Sequence, residues 1–440
     1  MAAADISTTN MNRQVLKLAI PSIFANITVP LVGMVDVAIA GRLGEAALIG
    51  AVAVASMLFD LLYWNMGFLR VGTSGMVAQA YGKGDFSEAM RVFVQGIFTS
   101  LAIAVVIWAI QYLYVDLAFK FIEASPQVES LARDYYFIRI WAAPATLSLY
   151  VFKGFFIGMQ NAVRPMAVDV TINVTNLVAS IFFSLYTGMG FKGIAMGTVV
   201  AQYAGLILSI FFMLTGYRDY FKYISIKSSM ALSNIKKFFV LNSNLFIRSI
   251  CFLFIYTGFT SLSAKYGDVL LAVCTIIMKL MMLFSYFIDG FAYAGEALSG
   301  RYIGARDRAS LVKSVKVIFI WSLSIGVVST LAYLVAGEPL VKMLTDNMEV
   351  IEASRPFLQW LLVMPVVSCA AFTWDGIFIG ATASVAIRNS MIYAVIAFYL
   401  CYFALNGTIG VQSLWVAYMA HLVVRTAYLS GTAKKEVFQF

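Results

Sequence analysis

The sequence predicts an all-α polytopic membrane protein with twelve transmembrane helices in two pseudo-symmetric six-helix lobes. Three observations support this fold class. Of the 440 residues, 61% are hydrophobic and 12% are charged, whereas soluble proteins are typically about 45–50% apolar and 25% charged. Twelve apolar segments are long enough to cross a bilayer. Short motifs of the first half of the chain return in the second half.

The predicted spans are separated by short polar connections. A helix rises about 1.5 Å per residue, so roughly twenty apolar residues cross the hydrocarbon core. The spans are predicted at residues 15–40, 46–70, 92–115, 136–159, 166–187, 194–215, 238–261, 269–295, 317–336, 356–380, 390–406 and 411–430.

Positive charge is concentrated in alternate connections. Examples are Arg13 and Lys17 before the first span, Lys83 and Arg91 after the second, and Lys434 and Lys435 after the last. By the positive-inside rule these segments face the cytoplasm, so we expect both termini there. We expect a multi-pass protein of the plasma membrane, in a bacterium the inner membrane. The formal net charge of +9 is then a topology signal with some contact to anionic membrane lipids, and no nucleic-acid partner is expected.

The two halves of the chain repeat. Residues 40–45 resemble residues 263–268, residues 82–85 resemble 304–307, and residues 154–158 resemble 376–380, at a shift of about 222 or 223. We therefore predict an N-terminal lobe at residues 1–216, a cytoplasmic linker at 217–237 and a C-terminal lobe at 238–440. Six spans per half leave both halves in the same orientation, and transporters of this build bind substrates between or within the lobes.

The first span contains one ionisable side chain between Leu18 and Gly41, namely Asp36. An isolated carboxylate in hydrocarbon is costly, so Asp36 should face protein or a water-filled cavity and be readily protonated. Six residues earlier, Pro30 has no N–H for the carbonyl of Asn26, so the helix can bend there. A titratable group beside a hinge suits a proton- or cation-driven switch. A polar contact between helices is the alternative.

A polar stripe follows the fifth span. Its members, spaced by four, three, four and four residues, are Asp169, Asn173, Asn176, Ser180 and Ser184. This spacing places them on one helix face, which lipid cannot satisfy. Thr198 and Gln202 in the sixth span continue this surface, and with Asn26 and Asp36 they outline a polar chamber in the N-terminal lobe. For Asp169 alone, a helix-dipole role after Pro165 is the alternative.

Other charged residues also lie inside spans. They are Arg70, Arg248, Lys279, Asp289 and Glu296. Asp289 and Glu296 are seven residues apart and share a helix face. These charges either line the C-terminal lobe and the interface or neutralise one another. Lys153 and Asp375 occupy equivalent repeat positions with opposite sign, so a bridge between them is also open.

Enzyme and metal chemistry are not indicated by the sequence. Four cysteines lie in apolar stretches without a C-x-x-C pair, and His421 is the single histidine. No H-E-x-x-H or G-x-S-x-G motif supplies the convergent groups of a catalytic site. We expect no catalytic residues, no metal and no cofactor, with a proton gradient as the driving force and sodium as the alternative.

Five motifs together carry a family resemblance. They are residues 35–44, 72–82, 158–161, 289–297 and 375–382. They resemble the multidrug and toxic compound extrusion (MATE) family, and the last two motifs are especially similar to its DNA-damage-inducible protein F (DinF) branch. The resemblance implies a V-shaped pair of six-helix lobes that exports organic compounds in exchange for protons or sodium. It also implies that Asp36 is the coupling residue, whose protonation bends the first helix and displaces substrate.

One motif departs from the family pattern. Relatives with a sodium-type site carry an Asn-x-x-x-Asp pair in the fifth helix, and the best local match here is Ser180 and Ser184. A hard cation prefers several oxygen ligands, some of them anionic, so loss of the second carboxylate favours protons. Thr198 matches a family threonine near that site, which leaves sodium open.

We therefore predict a secondary antiporter that exports amphipathic organic compounds and drugs in exchange for protons through Asp36. The alternatives are sodium-coupled antiport and a lipid-linked precursor flippase of the same superfamily. A flippase would use a basic cavity, for which Arg70, Arg248 and Lys279 are available, and a fold does not determine its cargo. A passive channel fits a hinged, titratable span less well. The expected partners are small organic molecules and membrane lipids, and a monomer is the default expectation.

Overall fold

The computed structural model describes residues 11–122 and 124–439, with side chains at all of these except residues 29, 31, 32 and 46. These residues form helices and connections without any strand. The helices are α1 (Met11–Arg42), α2 (Ala46–Trp64), α3 (Phe68–Lys83), α4 (Phe86–Ala118), α5 (Pro126–Arg139), α6 (Ala143–Gly158), α7 (Val163–Ile181), α8 (Phe191–Gly216), α9 (Ile226–Ser229), α10 (Leu232–Ser263), α11 (Asp268–Gly304), α12 (Arg308–Leu344), α13 (Met348–Ser354), α14 (Leu358–Gly380), α15 (Ser384–Ile409) and α16 (Gln412–Glu436).

The predicted spans correspond to these helices, and several helices are longer than predicted. Eleven helical segments among the described residues are long and apolar enough to cross a membrane. Three of them, α2–α3, α5–α6 and α13–α14, continue through a short 3₁₀ turn. The predicted twelfth span, α16, is less apolar because it contains polar residues such as His421 and Arg425. Both side chains are buried in protein, so this helix does not present them to lipid.

The chain divides into two compact units, which share α1. The N-terminal unit consists of Phe24–Ala80 and Asp85–Phe239. The C-terminal unit begins at Val240 and also includes Tyr81–Gly84 and α1 up to Ile23. The predicted lobe and linker boundaries stay a prediction. The first part of α1, however, packs with the second half of the chain rather than with the first.

Backbone conformation repeats at the same shift as the motifs. Residues with positive φ occur at Gly44 and Gly267, at Gly84 and Arg306, and at Gln160 and Thr382. Members of each pair are 222 or 223 positions apart. Helix caps repeat as well: Asp85 accepts from the amide of Glu88 at 2.9 Å, and Asp307 accepts from the amide of Ser310 at 3.0 Å. The predicted internal repeat is therefore confirmed in the turns, where the backbone is most constrained.

Each unit has its own apolar core. In the N-terminal unit, Phe59 stacks on Tyr136 with ring centroids 4.9 Å apart, joining α2 to α5. In the C-terminal unit, Phe259 meets Trp415 edge to face at 4.8 Å, joining α10 to α16. Aromatic pairs of this kind add to apolar burial, so they hold the helices that carry polar groups in a defined register.

Candidate functional site

Asp36 lies in the second part of α1 and is 2% exposed. The hydroxyl of Tyr135 on α5 donates to Asp36 Oδ2 at 3.0 Å. The side chain of Asn176 on α7 lies beside the same carboxyl group. Asp36 Oδ1 nevertheless accepts no hydrogen bond from the described residues. A buried ionised carboxylate needs more partners than this, so the site is suited to binding a proton or another positive group.

Helices α7 and α8 form the next layer of the site. Asn176 Nδ2 donates to Thr198 Oγ1 at 3.0 Å, and the Thr198 hydroxyl donates to the carbonyl of Ile194 at 3.3 Å. Ser180 donates to the same carbonyl at 3.4 Å. Asp36, Asn176, Ser180 and Thr198, all predicted from sequence, therefore lie in one contiguous region of the N-terminal unit.

The close approach of α7 and α8 depends on a glycine. A Cβ atom at Gly197 would lie 2.2 Å from Ser180 Oγ and 2.5 Å from the Ser180 amide nitrogen. Beyond Ser180, α7 ends in a π-helical turn, Phe182–Tyr186. Turns of this type are frequent at functional sites because they displace side chains from the regular helix face.

The remaining predicted members of the polar chamber are placed less centrally. Asn173 Nδ2 donates to the carbonyl of Thr28 on α1 at 3.2 Å. Ser184 is buried in the π turn, and its hydroxyl has no partner in the described part of the chain. Gln202 is half-buried and makes no hydrogen bond to any described residue. Asn26 and Pro30 are half-buried in α1, which is helical throughout 11–42. The hinge role of Pro30 stays a prediction.

Ser180 and Ser184 were matched to the sodium-type motif from sequence, but the pair next to Asp36 in the structure is Asn176 and Ser180. Ser184 lies one turn past Ser180, beyond the end of α7 and within the π turn. Asn176 and Ser180 have the same four-residue spacing, and Asn176 is the residue beside Asp36. In space, the Asn-x-x-x-Ser pair of Asn176 and Ser180 therefore accompanies Asp36. Neither pair supplies a second carboxylate.

Two residues of α5 were missed by the sequence analysis, Tyr135 and Arg139. They are four residues apart and so share a helix face. The Arg139 guanidinium carbon lies 4.5 Å from the centroid of the Phe59 ring and 5.8 Å from that of Tyr135. It is also within electrostatic range of Asp36 and of Asp60 on α2. The predicted span began at residue 136, which placed Arg139 in its first turn, whereas the helical segment in the structure begins at Pro126 and places it deep inside.

An apolar cavity of about 290 Å³ lies between α1 and α7, close to Asp36 in sequence. Val35 and Ile39, which flank Asp36 in sequence, line it together with Leu177 and Ile181 of α7. Arg42 is the charged residue of the lining. A carboxyl group and an apolar cavity on neighbouring faces of one helix together match the chemistry of amphipathic organic molecules.

The C-terminal unit contains a separate cluster of buried charges. Asp375 on α14 forms ion pairs with Arg248 of α10 and with Arg425 of α16, the latter at 2.8 Å between Oδ1 and Nη2. The side chain of Arg425 is 0% exposed, that of Asp375 is 6% exposed and that of Arg248 is 21% exposed. Arg425 was not among the predicted charged positions, although it lies inside the predicted last span.

The other charged positions have distinct outcomes. Lys153 pairs with Asp169 within the N-terminal unit, so the open bridge between Lys153 and Asp375 is not formed. Lys279 is exposed and makes no ion pair with any described residue. Arg70 and Asp289 are half-buried, and Glu296 is buried; all three interact with other groups of the protein.

The oxygen groups around Asp36 include two buried atoms, Asp36 Oδ1 and Asn176 Oδ1, that accept no hydrogen bond from the described residues. The described residues include no group of three His, Cys, Asp or Glu side chains that could hold a metal. Asp36 supplies one carboxylate, accompanied by neutral oxygens of Tyr135, Asn176 and Thr198. A hard cation is bound most readily by several oxygens of which some are anionic. The free cysteines are separate from this site, and three of the four are buried.

Comparison with known proteins places the chain in a family. The MatE profile matches residues 21–182 and 245–407. The chain is 32% identical to DNA damage-inducible protein F of Escherichia coli (strain K12) over 427 residues, covering 96% of this chain and 92% of that protein. It is 26% identical over 193 residues to the probable multidrug resistance protein NorM of Brucella suis biovar 1 (strain 1330), covering 42% and 41% of the two chains.

The fold is shared with solved structures as well. The crystal structure of MATE in the bent conformation superposes with a TM-score of 0.87 at 18% identity, covering 99% of this chain and 97% of that one. That likeness confirms the all-α, twelve-helix architecture. With one profile matching both repeats and a relative aligned over nearly the whole length, the chain belongs to the MatE family of multidrug and toxin extrusion proteins, which are multi-pass membrane transporters and not enzymes.

Proposed function

We propose that this protein is a proton-coupled antiporter that exports amphipathic organic compounds, with Asp36 as the coupling residue. The observation that carries the proposal is the burial of Asp36 in an apolar unit with one hydrogen bond, from Tyr135, and with Oδ1 left open among the described residues. Such a carboxyl group changes its interaction with the protein strongly when it gains or loses a proton.

The proposed cycle uses the two protonation states of Asp36. Protonation turns the carboxyl group into a donor and removes its need for positive partners, so α1 can rearrange against α5 and α7. Pro30, six residues from Asp36 on the same helix, provides a place where α1 bends. Substrate occupies the apolar cavity beside α1, which changes shape with the helix. Exchange results when proton and substrate stabilise different conformations.

The proposal also includes a membrane location, an orientation of the termini and a set of partners. The charge pattern of the connections supports a plasma membrane location, in a bacterium the inner membrane, with both termini in the cytoplasm. Membrane lipids and small organic molecules are the proposed partners, no nucleic acid is proposed, and a monomer is the default. No cofactor or metal is proposed, because the proton gradient supplies the energy.

The alternatives receive less support from the site. Sodium coupling would have to rely on one carboxylate and neutral oxygens around Asp36. A lipid-linked precursor flippase needs free basic groups for phosphate, but Arg248 is engaged by Asp375. Lys279 in α11 is exposed and remains available to bind phosphate in the flippase alternative.

Replacement of Asp36 tests the proposal. Purified wild type and Asp36→Asn are placed in liposomes, and efflux of a fluorescent organic cation is followed under an imposed pH gradient or an imposed sodium gradient. We expect proton-driven efflux in the wild type and only the rate of empty liposomes in the variant, since the amide cannot carry the proton. Asp116→Asn, which alters an exposed acid paired with Arg133, is the matched control and should transport normally. Full coupled transport by Asp36→Asn would refute the assignment.

A further inference from the structure

Arg139 has a position that the proposed cycle does not yet use. It ends α5, one turn after Tyr135, whose hydroxyl is bound to Asp36. The guanidinium group lies over the Phe59 ring and forms no salt bridge with a described residue. It is half-buried in the protein. An arginine this far inside a span is always charged and needs a partner, because its guanidinium group does not lose its proton in proteins.

Two carboxyl groups compete for this guanidinium. Asp36 on α1 and Asp60 on α2 are both within its electrostatic range, and the phenols of Tyr63 and Tyr135 are its other titratable neighbours. Asp60 is exposed, whereas Asp36 is buried. Arg139 therefore has one exposed and one buried carboxyl group as possible partners.

Asp36 also lacks a partner for one of its carboxyl oxygens among the described residues. Asp36 Oδ1 accepts no hydrogen bond from the described residues, although the side chain is almost fully buried. When Asp36 is ionised it requires positive charge or further donors, and five N–H donors are available on Arg139. The cation–π contact with Phe59 holds the guanidinium nearby without neutralising it.

We propose that Arg139 is the internal counter-ion of Asp36: it pairs with the ionised carboxylate and returns toward Asp60 and Phe59 when Asp36 is protonated. Arg139 is therefore a positioning residue that selects protons over sodium. A resident guanidinium repels a second cation from the carboxylate and supplies the charge that sodium would supply, whereas a proton neutralises Asp36 directly. The inference rests on the proposed coupling role of Asp36.

The test uses full-length Arg139→Gln and Arg139→Lys in detergent and in liposomes, with Arg133→Gln on the same helix as the control. Apparent melting temperature is measured in sodium chloride and in choline chloride at equal ionic strength. Wild type, Arg139→Lys and Arg133→Gln should respond equally to the two salts. Arg139→Gln should gain a saturable sodium-dependent rise of about 1.5 °C at tenfold excess over Kd, and this gain should vanish in Arg139→Gln/Asp36→Asn.

Transport adds a second readout. In Arg139→Gln, the pH at half-maximal proton-driven efflux should move upward by about one unit, because a positive neighbour no longer favours the ionised carboxylate. A sodium gradient should now also drive efflux. If Arg139→Gln elutes as a monodisperse species but shows neither a sodium response nor a changed pH profile, the counter-ion role is overturned.

The two proposals fail in different ways. Loss of coupled efflux in Asp36→Asn together with wild-type behaviour of Arg139→Gln overturns the counter-ion role alone. Full transport by Asp36→Asn overturns the coupling role and with it the inference. If Arg139→Gln does not fold, Arg139→Lys decides the matter: a normal pH profile and no sodium response support a role for the positive charge, and an altered pH profile contradicts it.

Discussion

At the scale of single residues, the two units treat a buried carboxyl group in opposite ways. Asp36 accepts a hydrogen bond from a phenol, while the Arg139 guanidinium group lies over the ring of Phe59. Asp375 is bound directly by Arg248 and Arg425. Two permanently charged guanidinium groups stabilise the ionised form of a carboxyl group, so it does not readily take up a proton. We therefore interpret the Asp375 cluster as structural support for α10, α14 and α16, and Asp36 as the exchangeable group.

This interpretation predicts an order of stability among variants of the cluster. Asp375→Asn leaves two arginines without their acid and should destabilise the C-terminal unit by about 3–5 kcal/mol. Arg248→Gln leaves a neutral pair of Asp375 and Arg425 and should cost clearly less. The apparent melting temperature of each purified variant in detergent measures the order. Equal losses in the two variants would contradict the pairing scheme.

At the scale of helices, the site depends on how closely α7 and α8 approach each other. Asn176 and Thr198 bond across this contact, and Gly197 precedes Thr198. Because a side chain at Gly197 would overlap Ser180, the spacing that brings the polar stripe to α8 is set by a residue without chemistry of its own. The stripe is readable in the sequence, whereas the distance that makes it a site is not.

A pair of glycine substitutions tests this spacing. Gly197→Ala introduces a Cβ atom 2.2 Å from Ser180 Oγ, and overpacking of this kind costs about 1–3 kcal/mol. We expect a lower apparent melting temperature and reduced proton-driven efflux. Gly407→Ala on α15 has no atom within 4 Å of the new methyl group and should leave both quantities unchanged. Normal transport by Gly197→Ala would show that the helix contact is more adaptable than its geometry indicates.

At the scale of the whole molecule, α1 and the short segment Tyr81–Gly84 are the places where the two units depart from the sequence halves. Its first part belongs to the C-terminal unit, where the hydroxyl of Tyr302 donates to Gln14 Oε1 at 2.8 Å and Trp321 Nε1 donates to Asn12 Oδ1 at 3.1 Å. Its second part carries Asp36 in the N-terminal unit. Residues of α1 are therefore divided between the two units, and the part that carries Asp36 belongs to the N-terminal unit.

Splitting the chain tests this arrangement. Residues 1–230 and 231–440 are expressed separately or together, and each sample is analysed by size-exclusion chromatography and limited proteolysis. The second fragment lacks the α1 residues that complete its unit, so alone it should aggregate or be degraded, whereas co-expression should restore a monodisperse complex. A monodisperse, protease-resistant C-terminal fragment on its own would contradict this prediction, because it would show that the unit does not need α1.

Sequence patterns were sufficient for the architecture of this protein. Hydropathy predicted the spans, the repeated motifs predicted the two halves, and a single acid in an apolar run identified Asp36. These features are local: the cost of exposing a polar group to lipid applies to each segment by itself. Even the repeat is a comparison of local motifs, and the turns confirm it at the same shift.

The partners of the buried charges were decided by tertiary structure alone. Tyr135 reaches Asp36 across 99 residues of sequence, and Arg248 reaches Asp375 across 127. The division of α1 between the units and the pairing of Lys153 with Asp169 are likewise set by which helices pack together. Periodicity specifies the face on which a side chain lies, but the facing helix depends on packing that is collective over the whole unit. For this reason Asp36 could be identified from the sequence, whereas its hydrogen-bond donor Tyr135 and the neighbouring Arg139 could not.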